Sequence, residues 1–147
     1  MKLLVGFLSS LILFFLSCNN SITNEQETKP LLKTVWNLKS FERNSKITEP
    51  AEDQVYNIKF SEDGTFSGKS DCNEISSHFT IDSLNSLIIE DIVTTKLYCG
   101  EESFGDEYFN AIHDANSYEI TKNGLYIQYG NNSKLYFQQN DIIFNYK

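Results

Sequence analysis

The sequence predicts a mostly β, α+β domain: a curled antiparallel sheet or barrel-like meander of about eight strands, with one helix near residues 102–115. Three observations carry that prediction. Short runs of β-type residues alternate with turn clusters from Leu32 onwards. A single stretch, Glu102–Ala115, switches to helical spacing. The chain has 147 residues, a length that suits one domain.

The first run is Thr34–Phe41, with Trp36 expected to anchor it in the core. Val55–Phe60 alternates Tyr56, Ile58 and Phe60 against Val55, Asn57 and Lys59, a period of two with one more apolar face. Ser61-Glu62-Asp63-Gly64 is a turn, because Asp-Gly supplies the positive-φ positions of a tight hairpin. Thr65–Lys69 returns as its partner. Ser77–Ile81 and Leu87–Ile92 flank a polar link at Asp82–Ser86. In the helical stretch Phe104, Tyr108, Ile112 and Ala115 recur on one face with Phe109 beside them. Ser103 is the expected cap, and Asp106 and Glu107 place negative charge in the first turn, where the helix dipole favours it. Ser117–Thr121, Leu125–Tyr129 and Leu135–Gln139 form a closing meander with turns at Lys122-Asn123-Gly124 and Gly130–Ser133. Ile142–Tyr146 is a candidate last edge strand.

The N-terminus reads as an address. Lys2 is the only charge before Glu25, and Leu3–Leu16 is apolar apart from Gly6, Ser9 and Ser10. As a helix this run would span about 21 Å, short of the roughly 30 Å hydrocarbon core, which suits a secretory signal over residues 1–17 rather than a membrane span. Its end, Phe15-Leu16-Ser17-Cys18, resembles a bacterial lipobox, in which the Cys becomes the lipidated first residue of the mature chain; the alternative is an ordinary signal with Cys18 a bystander. More than one acyl chain on Cys18 gives stable anchoring. Asn19, rather than Asp, follows Cys18, which by resemblance to enterobacterial lipoproteins points to the outer membrane. Residues 18–31 are mainly polar and read as a flexible tether, leaving 32–147 as the domain. The expected location is the bacterial cell envelope, lipid-anchored.

Charge narrows the partners. Twelve Lys+Arg against 20 Asp+Glu give a net charge of −8, a poor match for phosphate backbones, so nucleic acid is disfavoured. The same charge will not draw the domain onto anionic lipid, so the membrane is met through the N-terminal acyl group.

The domain's motifs resemble those of the META domain family, which includes the HslJ-type heat-shock lipoproteins. The family pattern opens on a Trp-x-Leu strand, here Trp36-Asn37-Leu38. A strand, turn and strand ending in Gly follow, here Ile58–Phe60 through Gly64 to Phe66-Ser67-Gly68. A Cys-Asn element and an aromatic strand come next, here Cys72-Asn73 and His78-Phe79. A Thr-x-x-x-Cys element, Thr95 to Cys99, precedes the helix and three closing strands. Asp71 stands where the family prefers Gly, and can take the same left-handed turn. Leu97-Tyr98 stands where the family often has a Met and a small residue. The resemblance implies an extracytoplasmic β-rich domain and no enzymatic activity.

With Cys18 assigned to lipid, Cys72 and Cys99 remain. In an oxidising envelope they read as a disulfide whose chain-entropy contribution is about 3.6 kcal/mol; the alternative is two buried thiols packing as small apolar groups. His78 and His113 are the only histidines, and no nucleophile signature surrounds either cysteine. A zinc site from these four residues has no compact ligand spacing. The carboxylate pairs at Glu49–Asp53, Glu62-Asp63, Glu90-Asp91 and Glu101–Glu107 sit mostly in turns or at the helix start, where solvation and the helix dipole account for them. The sequence therefore predicts no catalytic residues, no metal and no cofactor. The aromatics Tyr56, Phe60, Phe66, Phe79, Tyr126, Tyr129, Tyr136 and Phe137 read first as core and cross-strand pairs, and second as the lining of a cavity for a small lipid or peptide. The functional expectation is a non-enzymatic envelope lipoprotein acting by protein–protein contact or as a structural, stress-tolerance factor, with a small-ligand binding module as the alternative.

Overall fold

The structure, a computed structural model, describes residues 30–139. The lipobox with Cys18 and the candidate strand Ile142–Tyr146 lie outside the described residues. Nine strands and one helix follow the order β1 (Val35–Arg43), β2 (Lys46–Thr48), β3 (Tyr56–Phe60), β4 (Thr65–Ser70), β5 (Asn73–Ile81), β6 (Leu87–Thr94), α1 (Gly105–His113), β7 (Ala115–Thr121), β8 (Gly124–Tyr129) and β9 (Ser133–Gln139). They form one antiparallel sheet in the spatial order β6-β5-β4-β3-β1-β9-β8-β7, with β2 paired to the far end of β1. The sheet curls into a half-barrel. Its two edge strands approach through a bridge between Ser86 and Ser117, reinforced by the Tyr118 N–H donating to the Asn85 carbonyl at 3.0 Å.

The period-two alternation places Trp36, Ile58, Phe60, Phe66, Leu125, Ile127, Leu135 and Phe137 inside, each at most 1% exposed. Trp36 is held at both ends of its indole: the ring is buried, and Nε1–H donates to the Leu31 carbonyl at 3.2 Å. Leu31, assigned to the tether from composition, is itself buried in the core, so the packed domain starts before residue 32.

The Ser61–Gly64 turn forms, with Gly64 alone at positive φ (+79°) and Asp63 outside the left-handed region; the Ser61 N–H donates to the Thr65 carbonyl at 2.9 Å and the Gly64 N–H to the Ser61 carbonyl at 3.2 Å. The Thr65 hydroxyl and amide both donate to Asp63 Oδ1, which holds that carboxyl below its ordinary pKa.

Four details depart from the sequence reading. The helix spans Gly105–His113 rather than 102–115, because both flanks are taken by other partners. At its start, Phe104 rather than Ser103 is the cap residue; its N–H donates to the Tyr56 hydroxyl at 2.8 Å, while Ser103 Oγ accepts from the Gly105 N–H at 3.2 Å. At its end, Ala115 already pairs with Tyr129 in β7. The strand expected at Ser77–Ile81 begins at Asn73. β2 is an additional strand, made by the turn Asn44-Ser45, both in the left-handed region (φ +50° and +65°), as a tight I′-type hairpin requires. Finally, β6 carries a bulge at Asp91 (φ +51°), opposite Ser77, whose hydroxyl donates to the carbonyls of Glu90 and His78.

The half-barrel has two unlike ends. Lys33 N–H donates to the Phe60 carbonyl at 2.8 Å, so the chain enters beside the end of β3. The β4–β5 turn and the start of α1 lie towards the other end, and the β1–β2 turn marks its far limit, about 26 Å along β1 from Val35. There α1 lays Tyr108, Ala111 and Ile112 into the core. Tyr108 packs on Phe41, Tyr56 and Phe137 at ring-centroid distances of 6.1, 5.2 and 6.4 Å. Its hydroxyl donates to the Asn57 carbonyl at 3.2 Å.

Burial pushes the Tyr108 hydroxyl well above the usual tyrosine pKa of 10.0, and burial likewise raises Tyr56, whose hydroxyl sits under the helix start. A pKa raised in the fold means that the stabilisation is complete below the unfolded value and is lost as pH climbs from there towards the folded values. The domain is therefore expected to lose denaturant resistance between about pH 9 and pH 12, where unfolded tyrosine ionises. Tyr108→Phe should be weaker at neutral pH by about 1 kcal/mol, for the lost bond to Asn57, yet show a flatter alkaline decline. Urea midpoints measured across that range check both.

Candidate functional site

Four of the motif residues, Cys72, Asn73, Thr95 and Cys99, converge on one structure at the end away from the chain's entry. The β4–β5 turn is made by Asp71, which adopts φ +57°, the left-handed geometry expected of it. This turn delivers Cys72 and Asn73 to the segment that leaves β6. Cys72 and Cys99 are joined in a disulfide, with Cα atoms 5.6 Å apart.

Asn73 then continues the β5–β6 ladder with its side chain. Its Oδ1 accepts from the Leu97 N–H at 2.7 Å and the Thr95 hydroxyl at 2.9 Å, and its Nδ2 donates to the Leu97 carbonyl at 3.0 Å. Thr95 in turn takes the Glu74 N–H on its hydroxyl at 3.0 Å and gives its own N–H to the Glu74 carbonyl at 3.1 Å. The carboxamide thus satisfies both backbone groups of Leu97 as a paired strand would. Cys72, Asn73, Thr95 and Cys99 form a clasp that holds residues 95–99 against β5.

Trp36 and Leu38, the other end of the motif, are core residues of β1. Gly68 lies opposite Ile58 in the β3–β4 pair. A Cβ built there would stand 3.0 Å from the Asn57 carbonyl carbon and closer still to its oxygen, so no side chain fits.

Asn73→Ala is expected to cost about 2 kcal/mol, the net value of losing several such bonds at a partly exposed site. Asn73→Asp should be no better, since a carboxylate has no donor for the Leu97 carbonyl. Both are read from urea midpoints.

What the clasp holds out to solvent is apolar. Leu97 is 61% and Tyr98 82% exposed, and Val93 nearby is 66% exposed. A cavity of about 560 Å³ lies beside them, lined by Asn73, Leu97, Tyr98, Asp106 and Phe109.

A second cavity, about 410 Å³, opens between the β1–β2 hairpin and the start of α1, with Phe41, Phe104 and Tyr129 in its wall and Arg43, Lys46 and Glu107 around it. Neither β2 nor these cations were read as functional from the sequence. The available signal was the turn-type pair Asn44-Ser45, a weak one without a glycine.

The remaining candidates are dispersed. His78 is exposed on β5, and His113 is exposed with its Nδ1 at 3.1 Å from Asp114 Oδ1. Among the described residues, no group of three or more His, Cys, Asp or Glu is placed to hold a metal ion. Of the strand aromatics, Tyr56, Phe60, Phe66, Phe79, Tyr129 and Phe137 are buried. Tyr126 and Tyr136 stack on each other on the outer face, with centroids 4.8 Å apart.

Fold and clasp together define a small disulfide-bonded half-barrel closed at one end by a helix. The chain belongs to the META domain family, whose pattern matches residues 29–142. No functionally curated protein matches it. Two solved structures share the fold. A protein from Burkholderia xenovorans, determined by NMR, is 16% identical, with a TM-score of 0.65 over 76% of this chain and 84% of that one. A DUF4847 family protein from Bacteroides vulgatus is 20% identical, with a TM-score of 0.52 over 73% of this chain and 92% of that one.

Proposed function

We propose that this chain is a non-enzymatic, lipid-anchored envelope protein of HslJ type. It is secreted by residues 1–17, acylated on Cys18, and held at the outer membrane with its domain free to contact an envelope protein. The observation that carries the reading is the Cys72–Cys99 disulfide, which belongs in an oxidising compartment and takes both thiols out of nucleophilic chemistry. The remaining motif residues are occupied in the clasp or the core, so the motif serves as scaffold. Polarity of the domain supports the contact role. The described chain enters at one end of the half-barrel, and the clasp presents Leu97 and Tyr98 towards the other, clear of the end that the tether joins. No described helix is long and apolar enough to cross a membrane.

Metabolic labelling with an alkyne-bearing palmitate tests the anchor. The native chain should take up label and sediment with membranes, and Cys18→Ser should lose both properties. An unlabelled native chain found among cytosolic proteins overturns the proposal. The small-ligand reading is favoured by one specific feature, the cavity beside the β1–β2 hairpin.

A further inference from the structure

We infer that the cavity between the β1–β2 hairpin and α1 is a binding site for a single-chain carboxylate amphiphile, of the class of medium-chain fatty acids. The inference deepens the small-ligand reading and does not depend on the lipid anchor.

The hairpin's turn at Asn44-Ser45 sets Arg43 directly opposite Lys46, and Phe41 directly opposite Thr48. Residues two apart on a strand share a face, so all four side chains belong to one face of the hairpin, and all four line the cavity. Like charges placed directly opposite across a strand pair are destabilising. The arrangement is the more unusual in a chain with only 12 Lys+Arg and 20 acids. Among the described residues, neither Arg43 nor Lys46 has a carboxylate within 4.0 Å; the neighbouring Glu42 is committed to Lys134 at 3.0 Å. A bound anion relieves that repulsion and takes charge-assisted hydrogen bonds from both cations.

Below the cations the wall is aromatic. Phe41 packs against Phe104 with centroids 5.9 Å apart, and Phe41 and Tyr129 are each largely buried. With Phe41 and Tyr129 already buried, the apolar surface left open in the wall is that of the half-buried Phe104, which a phosphate or sulfate would leave uncovered and an alkyl body covers. Glu107, on the helix side of the same cavity, disfavours a second negative charge on the ligand. One charge, one apolar body and a volume of about 410 Å³ together select a monoanionic amphiphile over a nucleotide or a polyphosphate.

The test uses isotopically labelled protein from residue 18 to the C-terminus with Cys18→Ser, titrated with decanoate below its micellar concentration and followed by amide NMR. Shifts are expected at Arg43, Lys46, Phe104 and Tyr129. Arg43→Gln and Lys46→Gln, both at exposed positions and verified as folded by the same spectra, should each weaken binding about tenfold, the worth of one charged hydrogen bond. Decanol, with the same body and no charge to meet either cation, should bind about a hundredfold more weakly. Equal affinity for decanol and decanoate overturns the site, as does inorganic phosphate binding as well as decanoate. Shifts confined to Leu97 and Tyr98, or no shifts at all, overturn it too.

Discussion

Gly68→Ala is expected to destabilise the domain severely, with a far lower urea midpoint than the parent. The added Cβ would meet the Asn57 carbonyl well inside contact distance and the Ile58 Cα at 3.1 Å, and both are backbone atoms of the adjacent strand. Because backbone in the middle of a sheet has no rotamer to change, β3 and β4 must separate. Ile58 and Phe60, which are fully buried, would lose their packing with them. Overpacking of this kind costs about 3 kcal/mol or more, a large share of the 5–15 kcal/mol by which domains are stable. Gly100→Ala is the matched comparison. Gly100 has φ +100°, so an alanine there is strained, but nothing lies within 4 Å of the added carbon, and the expected cost is about 1 kcal/mol. Urea denaturation of the two variants side by side separates steric exclusion from backbone strain.

Removing the disulfide is the second large effect. Cys72 and Cys99 are 27 residues apart in sequence, and the bridge restricts that loop in the unfolded chain by about 3.6 kcal/mol. Cys72→Ser with Cys99→Ser should therefore lower the thermal midpoint by about 15 °C in a domain of this size. The loss should be local in its first appearance. Asn73 still bonds both backbone groups of Leu97, so the ladder persists, but amide exchange of residues 95–99 should quicken more than that of β3 or β9. A double variant as stable as the parent would show that the clasp is held by Asn73 alone.

Much of the fold was legible because its signals are local. The alternation of Tyr56, Ile58 and Phe60, the Asp-Gly turn and the Asn123-Gly124 turn each state their geometry within a few residues. The helix was visible as a face, but its length was not. Its flanks are set by Tyr56 and Tyr129, which lie far away in sequence. β2 was missed because three residues, Lys-Ile-Thr, carry no periodicity. The beginning of β5 was missed because Asp71-Cys72-Asn73 reads as a corner, and only the tertiary contact with Thr95 and Leu97 makes Asn73 a strand residue. The pairing of Cys72 with Cys99 followed from compartment and count. The mouth cavity was the least legible feature, since Phe41, Phe104 and Tyr129 come from three elements and adjoin only after the sheet has curled.

The proposed acyl anchor and the Cys72–Cys99 disulfide can be read on one and the same chain. The most direct test of the proposal is the intact mass of the protein purified from the membranes of its own cells. The expected mass is that of a chain beginning at Cys18, increased by two or three acyl chains on a glyceryl thioether and amine, and lighter by two hydrogens before reduction than after. A full-length chain that keeps Met1, bears no lipid and shows no change on reduction would contradict it.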